Sequence, residues 1–228
     1  MRRRFLPSSI GSLMTIIVLV CCGLVVSAPA SLGQAKHPTP PKGFAANYDV
    51  KYIPDGDAAQ SLDIYYPEKA AEKPQPLLIW IHGGGWMGGS KSEMPYMNQL
   101  TRGYVVASIE YRFSQKALFP AQIQDCQAAI RWLRANAKKY NIDPDHVAVG
   151  GASAGGHLAA LVGTSGGKKA FPAIGENKDQ SDRVQAVCDV FGPTDFCTVV
   201  KQAEEDKNVK NIFKFSEGSD PYTKLIGV

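Results

Sequence analysis

The stretch "HVAVGGASAGGHLAALVGTSGG", residues 146–167, decides how this chain folds and where its chemistry lies. It opens on a short apolar run (147–150), crosses a cluster of glycine, alanine and serine, and continues into the helix-forming "HLAALVG". A strand that turns sharply into a helix needs small residues at the turn, because a Cβ there would meet neighbouring backbone. The pattern G-x-S-x-G occurs twice, around Ser153 and around Ser165. Ser153 has an incoming strand, the flanking Gly151, Gly155 and Gly156, and an outgoing helix, which are the parts of a nucleophile elbow. The helix N-terminus behind it favours developing negative charge. Ser165 instead follows a helix and precedes the irregular "GKKAFPAIG", which predicts a glycine-rich helix terminus and surface loop.

Working outward, residues 77–81, 104–109, 147–150 and 184–191 are continuous apolar runs bounded by turn residues. Such runs fit strands buried on both faces, as in a parallel sheet. Residues 48–53 and 61–66, separated by "PDGDAAQ", predict a pair of antiparallel edge strands. Between the second and third apolar runs, Ile123, Cys126, Ile130, Leu133, Ala137 and Tyr140 recur at spacings of three or four. Gln124, Arg131, Arg134 and Lys138 lie opposite them, so one amphipathic helix is expected over 121–140, closed by the turn "NIDPD". Strands alternating with helices give an α/β class. The expected architecture is a mostly parallel sheet with helices on both faces and an antiparallel N-terminal hairpin.

The ends of the chain read differently. Arg2, Arg3 and Arg4 precede an apolar segment, 10–26, and then "SAPASLGQA". That layout predicts a secretory signal peptide over 1–35, cleaved after Ala30 or Ala35, and hence a secreted or periplasmic protein. An uncleaved N-terminal membrane anchor is the alternative. Residues 36–44 are expected to be a Pro-rich linker, and 45–228 to form one domain. The whole chain carries 25 basic and 21 acidic residues. Without the three leading arginines it is nearly neutral, which gives no electrostatic case for nucleic acid or an anionic membrane surface. Cys126, Cys188 and Cys197 remain after the leader, an odd number. Small buried thiols are expected, with a Cys188–Cys197 pair as the alternative. There is no metal-ligand spacing of histidine and cysteine, and no dinucleotide-binding glycine motif, so no metal and no cofactor is expected.

"WIHGGGWMGG", residues 80–89, follows the first apolar run. Successive glycines at a strand end allow a backbone to present its N–H groups, as an oxyanion-binding loop requires. Taken together, "HGGGW", "EYRF", "FPAQIQDCQAAIRWL" and "GGASAGGHLAAL" resemble the α/β-hydrolase esterases and lipases related to hormone-sensitive lipase. The chain is similar to bacterial exported carboxylesterases, including those acting on acetyl or feruloyl groups of xylan. The resemblance covers roughly residues 45–200. It implies Ser153 as nucleophile, the backbone N–H groups of Gly84, Gly85 and Ala154 as oxyanion donors, and Trp86 and Tyr111 near the substrate pocket. It also implies a small-molecule or carbohydrate-linked ester as substrate.

The same resemblance places a carboxylate and then a histidine after the serine. The four histidines are His37, His82, His146 and His157, and none follows residue 157. His82 is expected to brace the glycine loop, and His157 is a poor candidate base although it lies one turn after Ser153. Asp189 and Asp195 follow the serine, but "FGPTDF" reads as a structural turn. The expectation is therefore an incomplete catalytic unit, lacking the last strands with the triad acid and histidine, and inactive or weak on its own. A catalytically dead scaffold used for binding, or a peptidase of the same fold, are the alternatives. Residues 201–215 are expected to be a charged, mostly helical cover.

Overall fold

A computed structural model describes residues 37–205 and 220–227. The expected leader and residues 206–215 of the charged cover lie outside these described residues. The strands are β1 (Phe44–Lys51), β2 (Ser61–Pro67), β3 (Gln75–Ile81), β4 (Val105–Ile109), β5 (Ile142–Ala152) and β6 (Ala186–Val190). They form one sheet in the order β1-β2-β4-β3-β5-β6. β4, β3, β5 and β6 run parallel, while β2 is antiparallel to both β1 and β4.

The N-terminal hairpin is present, but only β1 lies at an edge. β2 is an inner strand, buried from Ser61 to Tyr65. Its side chains alternate between two cores, Leu62 and Ile64 entering one and Tyr65 the other. Asp63, also fully buried, accepts hydrogen bonds from the Asp49 N–H at 2.9 Å and faces His37 Nδ1 at 2.6 Å. A buried carboxylate needs such partners, and these tie the entering segment to the sheet.

The larger core fills the face covered by α1 (Ala121–Ala135) and α3 (Ala154–Ser165), and receives Leu77, Ile79 and Ile81 from β3. The opposite face is covered among the described residues by a 3-10 helix, Met97–Arg102, whose Leu100 packs on Tyr65 and Val106. The expected single helix over 121–140 is broken. α1 stops before Asn136, whose Nδ2 donates to the Trp132 carbonyl at 2.9 Å. This competition with the backbone is what asparagine does inside helices. A short α2 (Ala137–Tyr140) follows and ends at Asn141, left-handed at φ 55°. "NIDPD" is accordingly not a free turn: Ile142 already pairs with Gln75 as β5 begins.

Two further expectations change. Ser165 is the last residue of α3 and buried rather than in a surface loop. Its hydroxyl donates to the Leu161 carbonyl at 2.6 Å and accepts from Gln127 Nε2 at 3.2 Å, which joins α3 to α1. Among the described residues Cys126, Cys188 and Cys197 are free; Cys126 is buried as expected, whereas Cys188 and Cys197 are exposed. For Cys188 the physical reason lies in β6, which is an edge strand of the described sheet with Ala186 to Asp189 exposed.

Candidate active site

β5 delivers Ala152 to the end of the sheet, and the chain reverses at Ser153 with φ 54° and ψ −121° before entering α3. A non-glycine residue in that region is strained and persists only where its surroundings fix it. Two contacts fix it here. The Ser153 N–H donates to the Val190 carbonyl at 2.9 Å, and the Ser153 carbonyl accepts from the His157 N–H at 3.0 Å. The flanking glycines are required by space. A Cβ on Gly155 would overlap the Ile81 and His82 carbonyls, and one on Gly151 would overlap the Gly155 carbonyl.

Ser153 is the N-cap residue of α3, yet its side chain makes no capping hydrogen bond. N-cap serines ordinarily accept from the N–H two or three residues on. Here the strained backbone withholds the hydroxyl from that task. Among the described residues no side chain bonds to Ser153 Oγ.

The glycine loop lies beside the elbow, since a Cβ on Gly83 would stand 2.8 Å from the Ala152 carbonyl and 3.4 Å from Ser153 Cβ. Gly84 and Gly85 have φ of 110° and 60°, values that favour glycine. The Gly84 carbonyl accepts from Met87 and Gly88 N–H at 3.1 Å each, closing a turn. The N–H groups of Gly84, Gly85 and Ala154 make no hydrogen bond among the described residues.

A buried network holds this loop. His82 is fully buried, with Nε2 2.7 Å from Glu110 Oε1 and Nδ1 2.8 Å from the Gly83 carbonyl. Its ring stacks on Tyr111 at 4.6 Å. The Tyr111 hydroxyl donates to the His82 carbonyl at 3.1 Å. Arg112 forks onto the buried Asp125 of α1, Nε to Oδ2 at 2.8 Å and Nη2 to Oδ1 at 2.9 Å. Bidentate pairs of this kind fix geometry as well as charge. "HGGGW", "EYRF" and the start of α1 are thus one hydrogen-bonded frame.

A cavity of about 250 Å³ opens at Ser153. One wall is Gly85, Trp86, Ser153 and Ala154, and the other is Phe191, Pro193, Pro221 and Tyr222. Trp86 therefore lines it, and Tyr111 does not: Tyr111 is enclosed in the core by its stacking on His82. The second wall was not legible as a site. Phe191 and Pro193 follow β6, and Pro221 and Tyr222 open α5 (Pro221–Ile226). The one available signal was "DP" at 220–221, an N-cap aspartate before a proline at N1. Asp220 does cap α5, accepting from the Tyr222 and Thr223 N–H groups at 2.8 and 3.0 Å.

Among the described residues no hydrogen bond joins the His157 ring to Ser153 Oγ. That ring packs edge-on to Trp86 at 5.3 Å and against Phe196 at 5.0 Å, and its Nδ1 is buried without a hydrogen-bond partner among the described residues. Burial pushes its pKa down to about 4, opposed by the nearby Asp189 carboxylate. It lines a second, adjoining cavity of about 330 Å³ with Phe119, Leu161 and Leu225. Asp189 accepts from the Gly192 N–H at 2.8 Å. Asp195 accepts from the Cys197 and Thr198 N–H groups at 3.0 and 3.2 Å, just before α4 (Val199–Glu205). Both carboxylates hold turns. His146 is on the far part of β5, paired with Asp143, and His37 is at the N-terminal segment.

A model of the BD-FAE family matches residues 62–223. Esterase LipC of Mycobacterium tuberculosis is 38% identical over 144 residues, which are 61% of this chain and 35% of LipC. The probable carboxylic ester hydrolase LipM of the same organism is 35% identical over 179 residues, 74% of this chain and 41% of LipM. A solved structure, a truncated form of a carbohydrate esterase from gut microbiota, superposes with a TM-score of 0.70 at 33% identity. That match covers 84% of this chain and 68% of the other. The chain spans less than half the length of these two mycobacterial relatives.

Proposed function

The chain belongs to the BD-FAE family, within the α/β-hydrolase esterases related to hormone-sensitive lipase, and from that premise we propose that it is a serine carboxylester hydrolase with Ser153 as nucleophile. The observation that carries this reading is the elbow: a strained serine whose hydroxyl is withheld from capping and faces a cavity. Ser153 Oγ adds to the ester carbonyl carbon, its proton passes to a base, and the carbonyl oxygen becomes an oxyanion. The N–H groups of Gly84, Gly85 and Ala154 are the donors for that charge; such donors matter because they are already oriented before the charge forms. Collapse expels the alcohol, which takes the proton, and water then releases the acid from the acyl-serine.

The base is the missing part in this reading. Among the described residues no imidazole bonds to Ser153, and the ring of His157 is occupied by Trp86 and Phe196. The 228-residue chain is therefore expected to turn over esters slowly. That same feature is what favours the alternative of a binding scaffold built on this fold. A carbohydrate-linked ester is the proposed substrate, supported by the likeness to a carbohydrate esterase. Export rests on residues 1–35 as a secretory leader; among the described residues no helix is long and apolar enough to cross a membrane.

The test is release of p-nitrophenol from p-nitrophenyl acetate, with and without added imidazole. Slow release that imidazole accelerates in the parent chain, beyond what it does with Ser153→Ala, is expected. Release indifferent to Ser153→Ala would remove Ser153 from the mechanism. Fast release lost in Ser153→Ala but kept in His157→Ala would show that a base is already present.

A further inference from the structure

Six non-glycine residues have left-handed backbones among the described residues, and three of them, Trp86, Ser153 and Phe191, line the one cavity at the elbow. Strain of this kind collects at sites where geometry matters more than stability. For Trp86, at φ 58°, packing offsets the strain, since it is 2% exposed and touches His157, Phe196 and Tyr222. Ser153 is the elbow itself. Phe191, at φ 47°, has neither excuse: it is 77% exposed, so its ring gains little from burial while its backbone bears a disfavoured conformation.

The chain nevertheless pins it there. The carbonyl of Val190, one residue before, accepts from the Ser153 N–H, and the N–H of Gly192, one residue after, donates to Asp189. A Cβ on Gly192 would collide with the His157 N–H, so the turn is pressed against the start of α3. These contacts hold Phe191 in the lining of the Ser153 cavity, to which Trp86 also belongs. No charged side chain lines that cavity among the described residues.

We propose that Phe191 is a substrate-contacting residue, held by its strained turn to cover an uncharged, apolar group bonded next to the scissile carbonyl. The proposal rests on Ser153 as the reacting centre and adds which part of the ligand the exposed ring selects. An aromatic face offers apolar area at low conformational cost and a preference for flat partners. A charged group set against the Phe191 ring, away from the Gly84, Gly85 and Ala154 N–H groups, would lose hydration and meet no charged side chain in the cavity lining.

The test separates this from the nucleophile assignment by measuring binding without turnover. In the full chain carrying Ser153→Ala, the affinity for 4-fluorobenzyl acetate is read by ¹⁹F NMR, beside its charged counterpart 4-fluorobenzyl hydrogen succinate. Adding Phe191→Gly should weaken binding of the acetate roughly fivefold, about 1 kcal/mol, while Tm stays equal or rises because glycine relaxes the turn. Phe191→Asn, which also tolerates a left-handed backbone, should behave likewise, and Phe191→Tyr should keep the affinity within about twofold. The succinate should bind more weakly than the acetate to the parent. Unchanged affinity in Phe191→Gly, a clear fall of Tm in both the glycine and asparagine variants, equal binding of the two esters, or no binding of the acetate would each overturn the proposal. Each of these results leaves the role of Ser153 to the hydrolysis assay.

Discussion

Val149 of β5 and Val187 of β6 are partners in register, yet the first is 1% exposed and the second 42%. The same side chain on neighbouring strands thus lives in two environments. The β3–β5 pair at the centre carries the elbow and glycine loop, and the side chains that brace the loop, His82, Glu110, Tyr111, Arg112 and Asp125, are hydrogen-bonded. The β6 side carries the other wall of the cavity on an edge strand, a short capped turn and the brief α5. The difference separates what positions the reacting atoms, which is buried and over-determined, from what meets the substrate, which is thinly supported and open.

The sharpest way to break the central region is Gly155→Ala. Its added Cβ would meet the Ile81 and His82 carbonyls, main-chain atoms that cannot swing aside. Losing several kcal/mol, on the order of 3 or more, is expected, because overpacking against backbone has no cheap relaxation. Denaturant unfolding measures it. A variant as stable as the parent would mean that the elbow and the end of β3 are less closely packed than described, and the contrast with β6 would weaken.

A smaller effect marks the seam between the two regions. His157 sits between Trp86 and Phe196 as a neutral ring with its pKa lowered to about 4 by burial. An unfolded histidine titrates near 6.5. Between those values the unfolded chain binds the proton and the folded chain does not, so stability rises with pH through this window. The contribution of His157 is complete above about 6.5 and is lost as pH falls toward 4. His157→Phe removes the titration, and its Tm should depend less steeply on pH between 4 and 6.5 than that of the parent. Parallel curves would place the imidazole in contact with solvent.

The same division governs what could be read in the residues. Strands 77–81 and 104–109 were legible because burial on both faces demands an unbroken apolar run, and the elbow because only small residues fit between the backbones of β3 and α3. Gly83, Gly84 and Gly85 announced a loop for a similar reason. The wall opposite was not legible: Phe191, Pro193, Pro221 and Tyr222 come from distant positions and follow no period. Nor was Tyr111 separable from Trp86, since a core aromatic and a pocket aromatic look alike until the partners of each are known. The break at Asn136 and the inner position of β2 were also hidden, one depending on a side chain bonding its own backbone and the other on which strand pairs with which.

The mildest test returns to the paired valines. Val149→Ala should cost about 2 kcal/mol, because its methyl groups are removed from a filled core that only partly closes around the gap. Val187→Ala should cost much less, within about 0.5 to 1 kcal/mol, since much of its surface already meets water; what remains is its contact with the Gly163 region of α3. The two replacements delete the same atoms at the same level of the sheet, so propensity and composition cancel in the comparison. A cost at Val187 equal to that at Val149 would mean that the β6 edge is covered in solution, and the cavity wall that it carries would then be as firmly supported as the elbow.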